Sequence, residues 1–223
     1  MTGLIAKRIT EIRQELPPHV RLIAVTKQVS VDAIRQAYVA GVRDFAESRI
    51  QEADQKIAQL QDLPDITWHL IGHLQSNKVK RALELFTWIH SVDSLKLAQR
   101  LDRLAAELSR QPQVCLQVKL APDPDKYGWI VPELLADLPQ LEACKSLKIQ
   151  GLMTIVPLGL SRSNTLAVFE NTRNLADKIN QQAETNLCLQ ELSMGMSNDY
   201  PLAVEAGATM IRLGRTIFGE RTP

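Results

Sequence analysis

RLIAVTKQVSVDAIRQAYVAGVRDFAES (21–48) holds the pattern that decides the fold. An apolar run, RLIAVTK, gives way to a segment from Ser30 to Ala40 with apolar residues at helical spacing, and a second run, VRDFAES, follows directly. Near-continuous apolar runs read as strands buried on both faces, and the amphipathic segment between them reads as the crossover that joins parallel neighbours. The unit is strand, helix, strand.

The alternation continues without a break: a helix from Ile50 to Leu60, strand TWHLIG, a helix from Asn77 to Leu85, strand FTWIHSVD, a helix from Leu95 to Leu108, strand VCLQVKL, and a helix from Pro132 to Cys144. LKIQGLMTIVP is the sixth strand and Thr165 to Ala183 its helix; LQELSMG, a short helix from Pro201 to Glu205, and TMIRLG complete the series. An extra helix opens the chain, with Leu4, Ile5, Ile9, Ile12 and Leu16 on one face and Pro17 and Pro18 stopping it. Eight strand-then-helix units with no linker predict one α/β domain over residues 1–223, a (β/α)8 TIM barrel. The alternative, a doubly wound open sheet, has fewer units and a glycine-rich first turn, which this sequence lacks.

The net charge is +1, spread along the chain, which argues against a nucleic-acid partner. No apolar run approaches the ~18 residues of a membrane span. Cys115, Cys144 and Cys188 show no metal-ligand or disulfide spacing and read as small core residues of a cytoplasmic protein.

In such a barrel the functional site gathers at the carboxyl ends of the strands. Lys27 closes the first strand after Ile23, Ala24, Val25 and Thr26, so its amine is expected beside apolar walls, where desolvation disfavours the ammonium and favours a nucleophile suited to a Schiff base. The plainer reading is a lysine reaching past the strand end into solvent. The loops after strands seven (Gly195–Asn198) and eight (Gly214–Thr216) stand where barrels most often hold a phosphate, with Ser197 and Thr216 as added hydroxyl donors; the plainer reading is that these glycines only turn the chain. Arg212 lies two residues before Gly214 and shares its side of the sheet, so its guanidinium needs an acceptor: a ligand, or a barrel acid such as Glu47 or Asp93. An aldehyde, a ring nitrogen and a phosphate on one ligand describe pyridoxal 5′-phosphate. His69 reads as a structural donor in preference to a proton shuttle, and Trp68, Trp88 and Trp129 as packing.

AVTK (24–27), WHLIGHLQSNK (68–78), SVDS (91–94), GLMTI (151–155), LSMGMSND (192–199) and IRLGRTIFG (211–219) together resemble the pyridoxal phosphate homeostasis proteins, the alanine racemase N-terminal-like YggS/PROSC family. The resemblance implies that Lys27 carries the cofactor as a Schiff base, that Arg212 faces the pyridine nitrogen, and that Ser197, Gly214, Arg215 and Thr216 surround the phosphate. Where the family usually has FGEN this chain has FAES (45–48), which puts Ser48 at the position of an asparagine near the cofactor; where it usually has QVN, the chain has Gln117, Val118 and Lys119. It implies a monomer that buffers or delivers the cofactor, with free amino acids as further small-molecule partners.

The competing function is an amino-acid racemase of the alanine racemase type. An arginine opposite the ring nitrogen makes a weaker electron sink than an aspartate, which disfavours transamination and decarboxylation. Racemisation needs a second acid/base on the opposite face of the substrate carbon. Related racemases draw theirs from an added β-domain and a partner subunit, for which the chain after the eighth strand leaves no room. Carriage without turnover, with no catalytic residue and no metal, is the expectation.

Overall fold

The computed structural model describes residues 3–123, 126–182 and 186–220. Among these residues, eight parallel strands close into a barrel in sequence order, β1 pairing with β8 through Arg21 to Met210 and Ala24 to Leu213. The strands are β1 Arg21–Val25, β2 Asp44–Glu47, β3 Thr67–Leu70, β4 Trp88–Val92, β5 Gln113–Gln117, β6 Lys148–Met153, β7 Glu191–Ser193 and β8 Met210–Leu213. Around them run α1 Leu4–Glu15, α2 Val31–Val39, α3 Ile50–Gln59, α4 Val79–Leu85, α5 Leu95–Glu107, α6 Val131–Glu142, α7 Arg162–Asn180, α8 Tyr200–Glu205 and α9 Arg215–Phe218. The fold is the predicted TIM barrel with its extra first helix.

Local signals explain the helix starts. Ser30, Ser94 and Ser161 each turn a side-chain oxygen to the N–H three residues on, satisfying a donor that has no partner inside the helix. Ser161 is why α7 begins at Arg162 and not at Thr165; its expected end, Ala183, lies outside the described residues. The side chain of Arg13 on α1 donates to the carbonyls of Ala40 (2.9 Å) and Gly41 (2.8 Å), tying the extra helix to the end of α2.

The core has two parts. Alternate strand residues face the helices, among them Phe45, Ile89, Leu116 and Ile211; the others face the barrel axis, where Ile23, Val25, Ala46, Trp88, Cys115, Met153 and Met210 pack together. β6 and β7 approach so closely that a Cβ on Gly151 would lie 1.7 Å from the Glu191 carbonyl oxygen. Cys115 and Cys144 are buried as expected, but Cys188 is exposed: it stands between α7 and β7, outside both parts of the core. Among the described residues, no helix is long and apolar enough to cross a membrane, and no group of His, Cys, Asp and Glu could hold a metal ion.

Candidate functional site

β1 ends at Val25, and Lys27 lies in the turn beyond it, half-buried. That turn is held firmly. Thr26 donates its N–H to the Ala46 carbonyl (2.9 Å) and its hydroxyl to Glu47 Oε1 (2.7 Å), and the Val29 N–H returns to the Thr26 carbonyl at 2.9 Å. From the helix side, the Lys56 ammonium donates to the same Thr26 carbonyl (2.6 Å), to Glu47 Oε1 (2.7 Å) and to Glu52 Oε1 (2.6 Å). Burial pushes the Glu47 carboxyl above its ordinary value, opposed by the bonds from Lys56 and Thr26. Against its own burial, bonds from Lys56 and the Gln28 N–H hold Glu52 below the ordinary range. The backbone that carries Lys27 is therefore clamped from both faces.

Arg212 points toward the barrel axis from β8 and is 3% exposed. It donates through one terminal nitrogen to Ser193 Oγ (2.7 Å) and through the other to the Thr154 carbonyl (3.0 Å). Both partners are neutral oxygens. The acids that would otherwise pair with it are engaged elsewhere, Glu47 with Lys56 and Asp93 with His73 at 2.9 Å. Burial pushes the guanidinium down to about 10, which leaves it a cation at neutral pH.

The loop after β7 requires a glycine. Gly195 has φ +91°, and a Cβ there would lie 2.6 Å from the Ala203 Cβ; its carbonyl accepts the Arg212 N–H at 3.0 Å. Met196 and Asp199 then close a tight turn, the Met196 N–H donating to Asp199 Oδ1 (2.6 Å) and the Asp199 N–H to the Met196 carbonyl (3.0 Å). Burial raises the Asp199 carboxyl, while the Met196 N–H and Arg212 pull it back. Ser197, within this turn, accepts the Thr216 N–H at 3.4 Å. The stretch expected as a loop, Gly214–Thr216, is already the first turn of α9, because the N–H groups of Ile217 and Phe218 both return to the Gly214 carbonyl.

These elements enclose one cavity of about 370 Å³, within the size range of small-molecule sites. Lys27, Ser197, Arg212, Gly214 and Arg215 line it, with Val25, Ile71 and Val156 as apolar wall. Thr216 adjoins it through Ser197. Ser48 is not part of the lining; its carbonyl lies against Gly72, where a Cβ would approach it to 2.1 Å. The Arg215 side chain donates to Asn198 Oδ1 (3.0 Å), another lining residue, and pairs with Glu220 (3.7 Å).

Two residues under Arg212 carry polar groups to which the sequence assigned no role: Ser193, which stands in the strand-end stretch 193–197, and His90, which was passed over. Side-chain parity was the available signal: Ser193 lies two residues before Gly195, and His90 two after Trp88, on the inner face of their strands.

A model of the alanine racemase N-terminal domain family matches residues 2–222. The pyridoxal phosphate homeostasis protein of Synechocystis sp. (strain PCC 6803) is 58% identical over 95% of this chain and 96% of its own length. The chain belongs to the pyridoxal phosphate homeostasis protein family. The protein of that name from Pseudomonas aeruginosa is 40% identical, covering 97% of this chain and 93% of its own. PipY of Synechococcus elongatus PCC7942, solved with PLP bound, superposes with a TM-score of 0.93 at 56% identity, over 96% of this chain and 100% of that one. Alanine racemase of Clostridium difficile 630 shares the fold alone, at a TM-score of 0.78 and 15% identity over 98% of this chain and 57% of that one.

Proposed function

We propose that this chain is a one-domain cytoplasmic monomer that binds pyridoxal 5′-phosphate and serves its homeostasis, buffering or delivering it without turnover. The observation that carries the reading is the meeting of Lys27 and Arg212 with Ser197, Gly214 and Arg215 around one cavity. The donor set suits the ligand. Lys27 supplies the amine for the aldehyde, Arg212 a donor-only cation for the ring nitrogen, and Ser197 with the Gly214–Thr216 backbone the donors for the phosphate. Ser48 keeps the weaker place that its position outside the lining allows it.

When bound, the cofactor supplies an aldehyde and an electron-accepting ring. Lys27 would hold it by condensing with the aldehyde, one C=N bond forming as one water leaves. Free amino acids carry the same amine and compete with Lys27 for that carbon. Carriage without turnover is supported by the lining, whose titratable side chains besides Lys27, among the described residues, are Asp199, Arg212 and Arg215, with Asp199 held by Met196. A cytoplasmic setting is supported by the unpaired cysteines, including exposed Cys188.

Borohydride reduction of the cofactor-loaded protein, followed by peptide mass mapping, tests the assignment. The C=N bond becomes a secondary amine, and the adduct is expected on Lys27. An adduct on another lysine, or none on a saturated sample, would sink it.

A further inference from the structure

A line of polar side chains crosses the barrel interior beneath the cavity, and the proposed function makes no use of it. Asp44 at the start of β2 is 23% exposed; His69, His90 and Ser193, from β3, β4 and β7, are fully buried. Asp44 Oδ1 lies 3.0 Å from His69 Nε2, His69 Nδ1 lies 2.9 Å from His90 Nε2, and His90 Nδ1 lies 2.7 Å from Ser193 Oγ. Ser193 Oγ in turn accepts from Arg212 at 2.7 Å. The layer around it is apolar or aromatic, with Ile23, Ala46, Trp88, Cys115 and Met210.

The two ends set the direction of every bond between them. A carboxylate only accepts, so His69 donates from Nε2 and its Nδ1 is bare; His90 therefore donates from Nε2 to that nitrogen and its own Nδ1 is bare. Ser193 must then donate its single hydroxyl proton to His90 Nδ1, which leaves its lone pairs for Arg212, a group that only donates. All four bonds run one way, from cation to anion through three neutral groups, and bonds aligned in this manner polarise one another. Were the Ser193 proton turned toward Arg212, two donors would face each other in a dry site.

We propose that Asp44, His69, His90 and Ser193 are positioning residues: a one-way hydrogen-bonded chain that pins the Arg212 guanidinium so that it presents a fixed donor to the ring nitrogen of the ligand. The inference rests on reading the cavity as a pyridoxal phosphate site. His90 faces His69, Arg212 and Arg21, and His69 faces Asp44, Arg21 and Glu191, so both charged and neutral neighbours surround the pair. Burial is the largest influence on each and favours the neutral ring.

Two measurements test it. On the cofactor-free protein, long-range 1H–15N correlation of the imidazoles should show His69 and His90 both neutral and both in the Nε2–H form near pH 7. An Nδ1–H form or an imidazolium on either ring overturns the chain. The second measurement compares equilibrium binding of pyridoxal phosphate with that of its 1-deaza analogue, which has carbon in place of the ring nitrogen.

The wild-type protein should prefer pyridoxal phosphate, and Ser193→Ala should lower that preference on the order of tenfold, the worth of one hydrogen bond, while Ser193→Thr restores it. A wild-type protein that binds both ligands equally, or a Ser193→Ala preference left unchanged, overturns the positioning role and leaves the cofactor reading standing. A wild-type protein that binds neither ligand fails the cofactor reading itself, and the positioning role with it. If Ser193→Ala does not fold, the tautomers and the wild-type preference still decide.

Discussion

Acidification from pH 7.5 to 5 should destabilise the fold well before the carboxylates of its surface ion pairs are protonated. His69 and His90 are fully buried, and burial depresses both below the ordinary histidine value of about 6.5. In the unfolded chain each takes up a proton as the pH falls through that value; in the folded chain each stays neutral. The unfolded state then binds more protons, so stability rises with pH, is fully present above the ordinary value and is lost below it. The slope approaches about 1.4 kcal/mol per pH unit for one such histidine and about 2.7 for two. Glu47 works the other way, since its raised carboxyl takes up a proton in the folded state first and offsets part of the loss at the acidic end. Urea unfolding followed by tryptophan fluorescence at half-unit steps from pH 7.5 to 5 measures the slope, and a His90→Asn variant that folds should lose one histidine's share. A stability that stays flat between pH 6.5 and 5.5 would mean the rings charge inside the barrel, and the reasoning would be wrong.

Lys56→Met should cost about 3–5 kcal/mol in the same unfolding assay, because it strands Glu47, which is fully buried and has one oxygen, Oε2, without a partner already. A loss under 1 kcal/mol would show that the Lys56 cluster does not hold the turn before Lys27. Gly151→Ala should abolish soluble expression or cost more than the ~1–3 kcal/mol of ordinary overpacking, since the clash is with backbone. Gly159→Ala, with nothing within 4 Å of the added carbon and φ +83°, should cost only the ~1–2 kcal/mol of a left-handed backbone. Pyridoxal without its phosphate should bind weaker by orders of magnitude, each lost charge-assisted bond being worth ~1.5–3 kcal/mol. Equal affinities for the two vitamers in a titration would remove the phosphate role from Ser197 and the Gly214–Thr216 turn.

Much of this architecture was readable because its signals are local and repeated. Each strand-then-helix unit carries its own periodicity, and right-handed crossovers leave few ways to close eight of them. Boundaries that depend on distant partners were not readable. β5 ends at Gln117 because Val118 turns aside to bridge Trp129, with the Lys119 and Trp129 N–H groups bonding across. β7 holds only three residues because Gly195, two positions on, takes a conformation no strand allows. Lys27 and Arg212 were found by strand-end position and parity. His90 was hidden by its setting: WIHSV reads as one more buried strand, and only the register of β3 on β4 and the reach of Ser193 across the barrel turn a core histidine into a link.

The closure of β1 on β8 also has a consequence for biosynthesis. Lys27 follows the first strand and Gly214 the last, and the guanidinium of Arg8 on α1 reaches the Ile217 carbonyl of α9 at 3.3 Å. The two walls of the cavity are thus made nearly two hundred residues apart and meet only when the final strand docks. A growing chain on the ribosome that has not yet exposed Thr216 has the amine but not the opposite wall. On the proposed assignment, a chain that stops before β8 lacks the turn that would hold the phosphate, and tight capture has to wait for the final strand.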